Sequence, residues 1–365
     1  MTESIDVAVI GAGAMGAAAA WHLARGGVSI EVFEQFEPGH AHGASHGTTR
    51  NFNVSYDEPG YLAWLRDARG LWRELEAESG LPLLTTSGIV NHGPARDLAL
   101  VAAAIRAGGF AADILPADEA ARRWPGFRFE GDVLYTPDAG RLDPAAAVRA
   151  LLDGAAARGA AVSWRTPVTD LRILDDDRVQ FTVDGVDGAR TIRARRVVVA
   201  AGAWSTSLIG RIAGTALPTL RVTQEQPAHF AVRDESLEWP GFNHGPAADD
   251  PATAWFPTGV YGMLSPGEGV KAGWHAAGPE IDPDRRSYIP DPALTAAIVR
   301  YAREWLPGVD PDSFTETTCT YTSTPDSRFF LDRIGPVVIG AGFSGHGFKF
   351  TPVIGRVLAG LAQRD

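Results

Sequence analysis

The segment that most constrains this chain lies at its start. Ile5 to Ile10 reads as a buried strand. Gly11-Ala12-Gly13-Ala14-Met15-Gly16 follows, and an Ala-rich stretch to about Arg25 reads as a helix ended by Gly26-Gly27. Val28 to Phe33 reads as a second strand that stops on Glu34, 18 residues beyond Gly16. Together these parts form a βαβ unit of the kind that binds a dinucleotide. Gly11 permits the tight turn, Gly13 lets the backbone approach a pyrophosphate, and Gly16 lets the helix pack on the strand. Ala14 and Met15 open the helix, whose free N–H groups face the phosphates. The Glu34 carboxylate is placed to bond a ribose hydroxyl. Three such glycines alone are a weak signal; here every part is in register. The motif by itself leaves NAD and FAD open.

At 365 residues the chain is too long for one average domain and fits two. It is 45% hydrophobic and 21% charged, the balance of a globular protein with a sizeable core. The net charge of −11 comes without a basic stripe, so no nucleic-acid partner is expected. The N-terminus has no basic n-region, and no run of about 18 uncharged apolar residues exists. Neither a signal peptide nor a membrane partner is expected. A single cysteine, Cys319, excludes a disulfide within the chain and suits a reducing, cytoplasmic location. An acidic protein that holds an anionic cofactor needs local cations, which gives weight to the few Lys and Arg residues beside glycine turns.

Further along, a loop rich in His, Gly, Ser and Thr spans Pro38 to Arg50. Tyr61 to Ser79 reads as an amphipathic helix stopped by Gly80. Asp143-Pro144 opens another helix as an N-cap and N1 pair. Val168 to Leu174 and Val179 to Val183 read as a hairpin around Asp175-Asp176-Asp177. Thr191 to Ile192 continues into Arg196, and Val197 to Ala201 is a buried strand ending at Gly202. Leu217 to Lys271 reads as short strands, Asp291-Pro292 opens a helix through Trp305, and Val337 to Ile339 is a last buried strand before Gly340 to Gly347 and a C-terminal helix. The expected fold is α/β and α+β: a Rossmann-type cofactor-binding domain (1–85, 142–215 and 325–365) with an inserted mixed-sheet substrate domain (86–141 and 216–324).

Three later segments carry chemistry. Ala44-Ser45-His46-Gly47-Thr48-Thr49-Arg50 packs His, Thr and Arg into one loop, which on its own is equally a solvated loop. Gly340-Ala341-Gly342-Phe343-Ser344-Gly345-His346-Gly347-Phe348-Lys349 follows a strand and precedes a helix, a second helix N-terminus aimed at a ligand with a lysine beside it. Lys271 sits in an otherwise apolar strand, either at a wet edge or deliberately buried. A histidine such as His275 is more often structural than catalytic, and a lone cysteine is more often a small buried hydrophobe.

With these motifs the chain resembles the monomeric sarcosine oxidase and N-methyltryptophan oxidase family, within the D-amino-acid-oxidase-like flavoproteins. The resemblance covers essentially the whole chain. Its most specific parts are Ser45-His46-Gly47 with Arg50, Cys319-Thr320-Tyr321-Thr322, and Gly342 to Lys349. It implies FAD rather than NAD, bound covalently through Cys319, with nearby cations such as Lys349 favouring the reactive thiolate. It implies that Lys271 activates oxygen above the flavin. His275, Tyr321 and, across a one-residue gap, Tyr261 surround the substrate, Arg50 lies near the flavin ring, and Lys349 helps hold a substrate carboxylate. Ser45, His46, Thr49, Val168, Gly202, Trp204, Gly342, Gly345, His346 and Gly347 join the N-terminal turn as cofactor contacts; no metal site is expected. One departure matters: the family's second arginine, three residues after the first, is Asn53 here. The implied reaction is hydride transfer from the carbon beside a neutral amine to flavin N5, giving an imine, followed by reduction of O2 to H2O2. The implied partners are a small-molecule amine and O2, on a monomer. The alternatives are a flavin dehydrogenase or tailoring enzyme with a larger or carboxylate-masked amine, and a non-catalytic cofactor-binding protein.

Overall fold

The computed structural model describes residues 2–94, 97–175, 177–186, 188–213 and 217–364. Asp176 of the hairpin turn and the 215/216 domain limit fall outside the described residues. Two large sheets organise the chain. In the first, strands 161–163, Ile30–Phe33, Thr2–Ile10, Gly188–Val199 and Val337–Ala341 run parallel in that order. The hairpin Val168–Asp175 and Arg178–Gly185 extends the sheet antiparallel on Gly188–Val199, and Phe330–Ile334 pairs with Val337–Ala341. A central parallel strand is buried on both faces, which explains the unbroken run Val7 to Ile10. Val7 and Val9 enter the core beneath the first helix, while Ala8 and Ile10 enter the opposite core with Phe181 and Val197.

The first helix, Ala14–Arg25, packs with Pro144–Ala156 and Thr351–Gln363 over one face. Its alanines let the C-terminal helix come close: a Cβ on Gly355 would lie 2.5 Å from Ala18 Cβ. The helix Pro59–Ser79 buries Leu62, Leu65, Ala68, Trp72 and Leu75 in the same core and ends on Gly80 in the left-handed conformation.

The second sheet has eight strands in the order 309–316, 228–232, 269–274, 260–265, 241–244, 89–92, 133–136 and 113–115. Its far face packs Phe242, Val260, Ala272 and Trp274 with the helix Pro292–Trp305 in an aromatic core. Its near face turns towards the first sheet across a cavity. A two-stranded piece, Arg221–Glu225 with Cys319–Ser323, and a three-stranded one, containing Arg50–Phe52, complete the cavity walls. Among the described residues no helix is long and apolar enough to cross a membrane.

Several sequence expectations are corrected. The second strand starts at Ile30, because Val28 N–H still closes the helix end on the Leu23 carbonyl. Thr191 to Val199 is not two pieces: it belongs to one strand, Gly188–Val199, held by hairpin pairing at one end and parallel pairing at the other, and Ala200 and Ala201 lie beyond its end. The glycine segment 340–347 does not run straight into the last helix. A 3-10 turn, Phe348–Phe350, intervenes, so Lys349 lies before the helix proper. The helices Leu98–Ala107 and Ala117–Arg123 were not expected.

Candidate active site

One cavity of about 2300 Å³ runs from the Gly11 turn to the near face of the second sheet. A drug-sized ligand needs about 300–1,000 Å³, so the space suits a dinucleotide together with a second small molecule. Gly11 adopts φ +99°, and a Cβ there would lie 2.5 Å from the Ala200 oxygen, so the turn requires glycine. Of the residues expected at the cofactor, Gly16 does not line the cavity. A Cβ on it would lie 1.8 Å from the Gly11 oxygen, so its place is the contact between helix and turn.

The first helix has no side-chain cap and no acid in its first turn. Its N–H groups and dipole therefore favour an anion. Ser45 Oγ accepts a hydrogen bond from the Ala14 N–H at 3.0 Å, which leaves its own proton to offer. Glu34 Oε2 accepts from Ala12 N–H at 2.8 Å and Oε1 from Phe36 N–H at 3.1 Å. Those bonds hold the carboxylate as an acceptor for sugar hydroxyls. Val168, Gly202 and Trp204 line the same region. A glycine turn that has no room for a Cβ, an uncapped helix end and a fixed acid fit the pyrophosphate and ribose of FAD.

The middle of the cavity is stitched by Arg50. Its guanidinium donates to the Thr49, Ala44 and His46 carbonyls at 2.8, 2.9 and 2.7 Å. His46 is held neutral, with a pKa down to about 4, by burial and the Arg50 charge. Its Nε2 is buried without a partner among the described residues, an orphan that a cofactor in this position can satisfy. Thr49 Oγ1 bonds Ser265 Oγ at 2.6 Å, and Lys271 Nζ donates to the Thr49 carbonyl at 3.3 Å. Lys271 is 5% exposed on an inner strand of the second sheet, which settles the choice between a wet edge and burial. Burial and the Arg50 charge push its pKa down to about 7.

Lys349 closes the opposite wall. Its Nζ donates to Tyr56 Oη at 3.1 Å and to the His346 carbonyl at 2.7 Å, and burial pushes its pKa down to about 7. Gly342, Gly345 and Gly347 line the cavity beside it. The Tyr261 and Tyr321 hydroxyls bond each other, and burial pushes both pKa values up. The His275 ring lies 5.5 Å from Tyr321, its pKa lowered by burial and Lys349. Asn53 also lines the cavity, its Oδ1 accepting from Ser55 N–H at 3.0 Å. Cys319 stands opposite Glu225 on the paired strand. Burial raises its thiol pKa, while Arg50, Lys271 and Arg286 pull it down. Arg50, Lys271 and Arg286, rather than Lys349, are thus the cations that act on Cys319.

The site also contains residues that sequence reasoning passed over. Tyr56 binds Lys349, and His229 stands opposite Lys271 in register. Asn91 and Asn243 line the cavity from strands whose other face buries Val90, Phe242, His92 and His244. The repeated Asn-His pair, Asn91-His92 and Asn243-His244, is the available signal, but only pairing shows which strands meet.

Comparison with known proteins places these features. The family model described as DAO, FAD dependent oxidoreductase, matches residues 6–361. Monomeric sarcosine oxidase of Bacillus sp. (strain B-0618) is 33% identical over 380 aligned positions, covering 99% of this chain and 93% of that protein. N-methyl-L-tryptophan oxidase of Shigella flexneri serotype 5b (strain 8401) is 29% identical, covering 98% of this chain and 95% of that protein. Among solved structures, NikD, described as an unusual amino acid oxidase essential for nikkomycin biosynthesis, superimposes with a TM-score of 0.86 at 28% identity, covering 100% of this chain and 95% of that one.

Proposed function

Because the chain belongs to the DAO family of FAD-dependent oxidoreductases and is an amine or amino-acid oxidase acting on C–N bonds, we propose that it oxidises a secondary, N-methyl or cyclic amine at a flavin bonded to Cys319. One observation carries this reading: a single cavity joins the Gly11 turn to Cys319, Lys271 and Lys349. Held there, FAD would supply the two-electron redox chemistry that converts an amine and O2 to an imine and H2O2.

The chain's own residues bind, orient and polarise. Gly11 to Met15 and Ser45 hold the pyrophosphate, and Glu34 holds the ribose. Val168, Gly202 and Trp204 line the nucleotide end; Thr49, His46 and Arg50 support the ring end. His346 and the glycines around it shape the opposite wall. Lys271, fixed by the Thr49 carbonyl, holds a proton on a buried wall of the cavity, where it stabilises negative charge developing on oxygen. Arg50, Lys271 and Lys349 disfavour a cationic ligand and so favour the neutral amine. Tyr261, Tyr321 and His275 border the substrate, with Lys349 available to an anionic group. The accompanying assignments are a division at 1–85, 142–215 and 325–365 against 86–141 and 216–324, a cytoplasmic location in keeping with one unpaired cysteine, and a single-chain enzyme in keeping with the name of its sarcosine-oxidising relative. Asn53, with no charge for a carboxylate, favours a second reading in which the amine substrate is larger or carboxylate-masked, used by a dehydrogenase or tailoring enzyme.

The test is acid precipitation of purified protein together with peroxide assays on an amine panel. Flavin colour retained on the polypeptide, and peroxide formed in step with amine consumption, are expected. Flavin released wholly into the supernatant sinks the Cys319 bond. Amine-driven flavin reduction without peroxide moves the assignment to the dehydrogenase.

A further inference from the structure

The near face of the second sheet carries an arrangement that the chemistry above does not use. Asn91 stands opposite Asn243, Asn243 opposite Tyr261, and Tyr261 opposite Gly273, two residues beyond Lys271. Residues opposite one another share a sheet face. The two asparagines therefore stand on the face that presents Tyr261 and Lys271, and all four line the cavity. Neighbouring strands lie about 4.8 Å apart, which puts Asn243 about 10 Å, and Asn91 about 14 Å, from the Lys271 strand.

Asn243 Nδ2 donates to Asn91 Oδ1 at 2.9 Å, and Asn91 Nδ2 reaches the Leu134 carbonyl only at 3.5 Å. A carboxamide has two donor hydrogens and one acceptor oxygen. The Asn91 bond thus leaves Asn243 an N–H and its carbonyl oxygen. A third amide adjoins them. A Cβ on Gly241, two residues before Asn243, would lie 3.0 Å from Asn51 Oδ1, so Asn51 packs against this strand. Asn51 Oδ1 is buried with no hydrogen-bond partner among the described residues. Buried acceptors are nearly always satisfied, so this one points to a donor that the chain does not supply.

We propose that this distal half of the cavity recognises a neutral carboxamide-type group carried by the substrate about 10 Å from its reacting amine. The inference rests on the amine-oxidase reading above and names its substrate class. A primary carboxamide offers its two N–H donors to Asn51 Oδ1 and Asn243 Oδ1, and its carbonyl to the remaining Asn243 N–H. A carboxylate offers those oxygens no donor, and a hydrocarbon leaves the amides unpaired.

The experiment uses the flavin-loaded enzyme and amines of matched length ending in a carboxamide, a carboxylate or a branched alkyl group. Anaerobic titration followed by flavin absorbance reads binding, and rapid mixing reads flavin reduction. The carboxamide is expected to bind about 10–100-fold tighter than the alkyl isostere. Asn243→Leu should bring that ratio close to one. Asn243→Asp, closer in shape, should lower the ratio and make the carboxylate the weakest ligand. Ratios within one variant are insensitive to partial loss of active protein. Equal binding of the three analogues by the wild type, or an unchanged ratio in both variants, overturns the proposal. If the carboxamide preference is present and depends on Asn243 but no amine reduces the flavin, the oxidase reading fails and this one stands. Flavin reduction by amines without that preference gives the reverse.

Discussion

At the residue scale, Lys271 and Asn53 carry the sharpest expectations. Lys271 owes its lowered pKa of about 7 first to burial and then to Arg50. Below that value it is charged in both folded and unfolded chains, and its burial costs stability. Between about 7 and its ordinary 10.5 the unfolded chain binds the extra proton, so stability rises with pH through that window. The functional consequence has the opposite sign. Reoxidation of reduced flavin should slow as pH rises and Lys271 loses its proton, with the fall at or above pH 7 because a nearby anion raises its pKa. Lys271→Met should slow reoxidation by about 10²–10³-fold and abolish that pH dependence, while flavin reduction by substrate changes much less. Rapid-mixing measurement of both half-reactions checks this; equal losses in the two halves contradict the role. Asn53 has spent its carbonyl on Ser55 N–H, so it offers a carboxylate at most neutral N–H donors. A charge-assisted bond contributes about 1.5–3 kcal/mol. Sarcosine should therefore be a poor substrate, and Asn53→Arg should raise its kcat/KM by one to two orders of magnitude, read by steady-state kinetics. Efficient wild-type turnover of sarcosine with no gain in the variant refutes this.

At the element scale, the first helix is built for close neighbours. Six of its buried residues are alanines, and it meets the C-terminal helix where Gly355 leaves no room for a side chain beside Ala18. The first helix also turns its N-terminus, with Ala14 and Met15, to the cavity, so packing and the cavity wall share one rigid body. Gly355→Val should overpack this crossing and cost about 1–3 kcal/mol. Thermal unfolding followed by circular dichroism should show a lower Tm. An unchanged Tm means that the helices part without strain. The same packing logic explains Gly16, which serves the helix–turn contact rather than the cavity wall.

At the scale of the whole molecule, the two sheets face each other across the cavity that FAD is to fill. A ligand bound only by the folded state stabilises it by RT ln(1 + [L]/Kd), about 2.7 kcal/mol at a hundredfold excess over Kd. Cys319→Ser should yield protein from which flavin can be removed, and added FAD should then raise its Tm in a concentration-dependent way. Differential scanning fluorimetry across an FAD series checks this. A Tm indifferent to FAD means that the cavity does not couple the sheets through the cofactor.

Much of this was legible in one dimension, because the signals are local. The turn from Gly11 to Gly16 needs only neighbours in sequence, and so does the helix start at Asp291-Pro292, where Asp291 Oδ1 caps Ala293 N–H at 2.8 Å. The run Val337 to Ile339 declared a buried strand by composition alone. The motifs around Ser45, Cys319 and Gly342 carried the family resemblance by residue identity. What the sequence could not decide depends on which strands become neighbours. The strand from Gly188 to Val199 reads as broken because its two ends are held by different partners, a hairpin and a parallel strand. The state of Lys271 was undecided because burial is a property of the sheet, not of the residues beside it. The amides Asn51, Asn91 and Asn243 come from three separate segments, and only long-range pairing brings them to one wall. Local chemistry determined the nucleotide-binding unit; tertiary pairing decided the substrate end, because its walls are assembled from residues with no proximity along the chain.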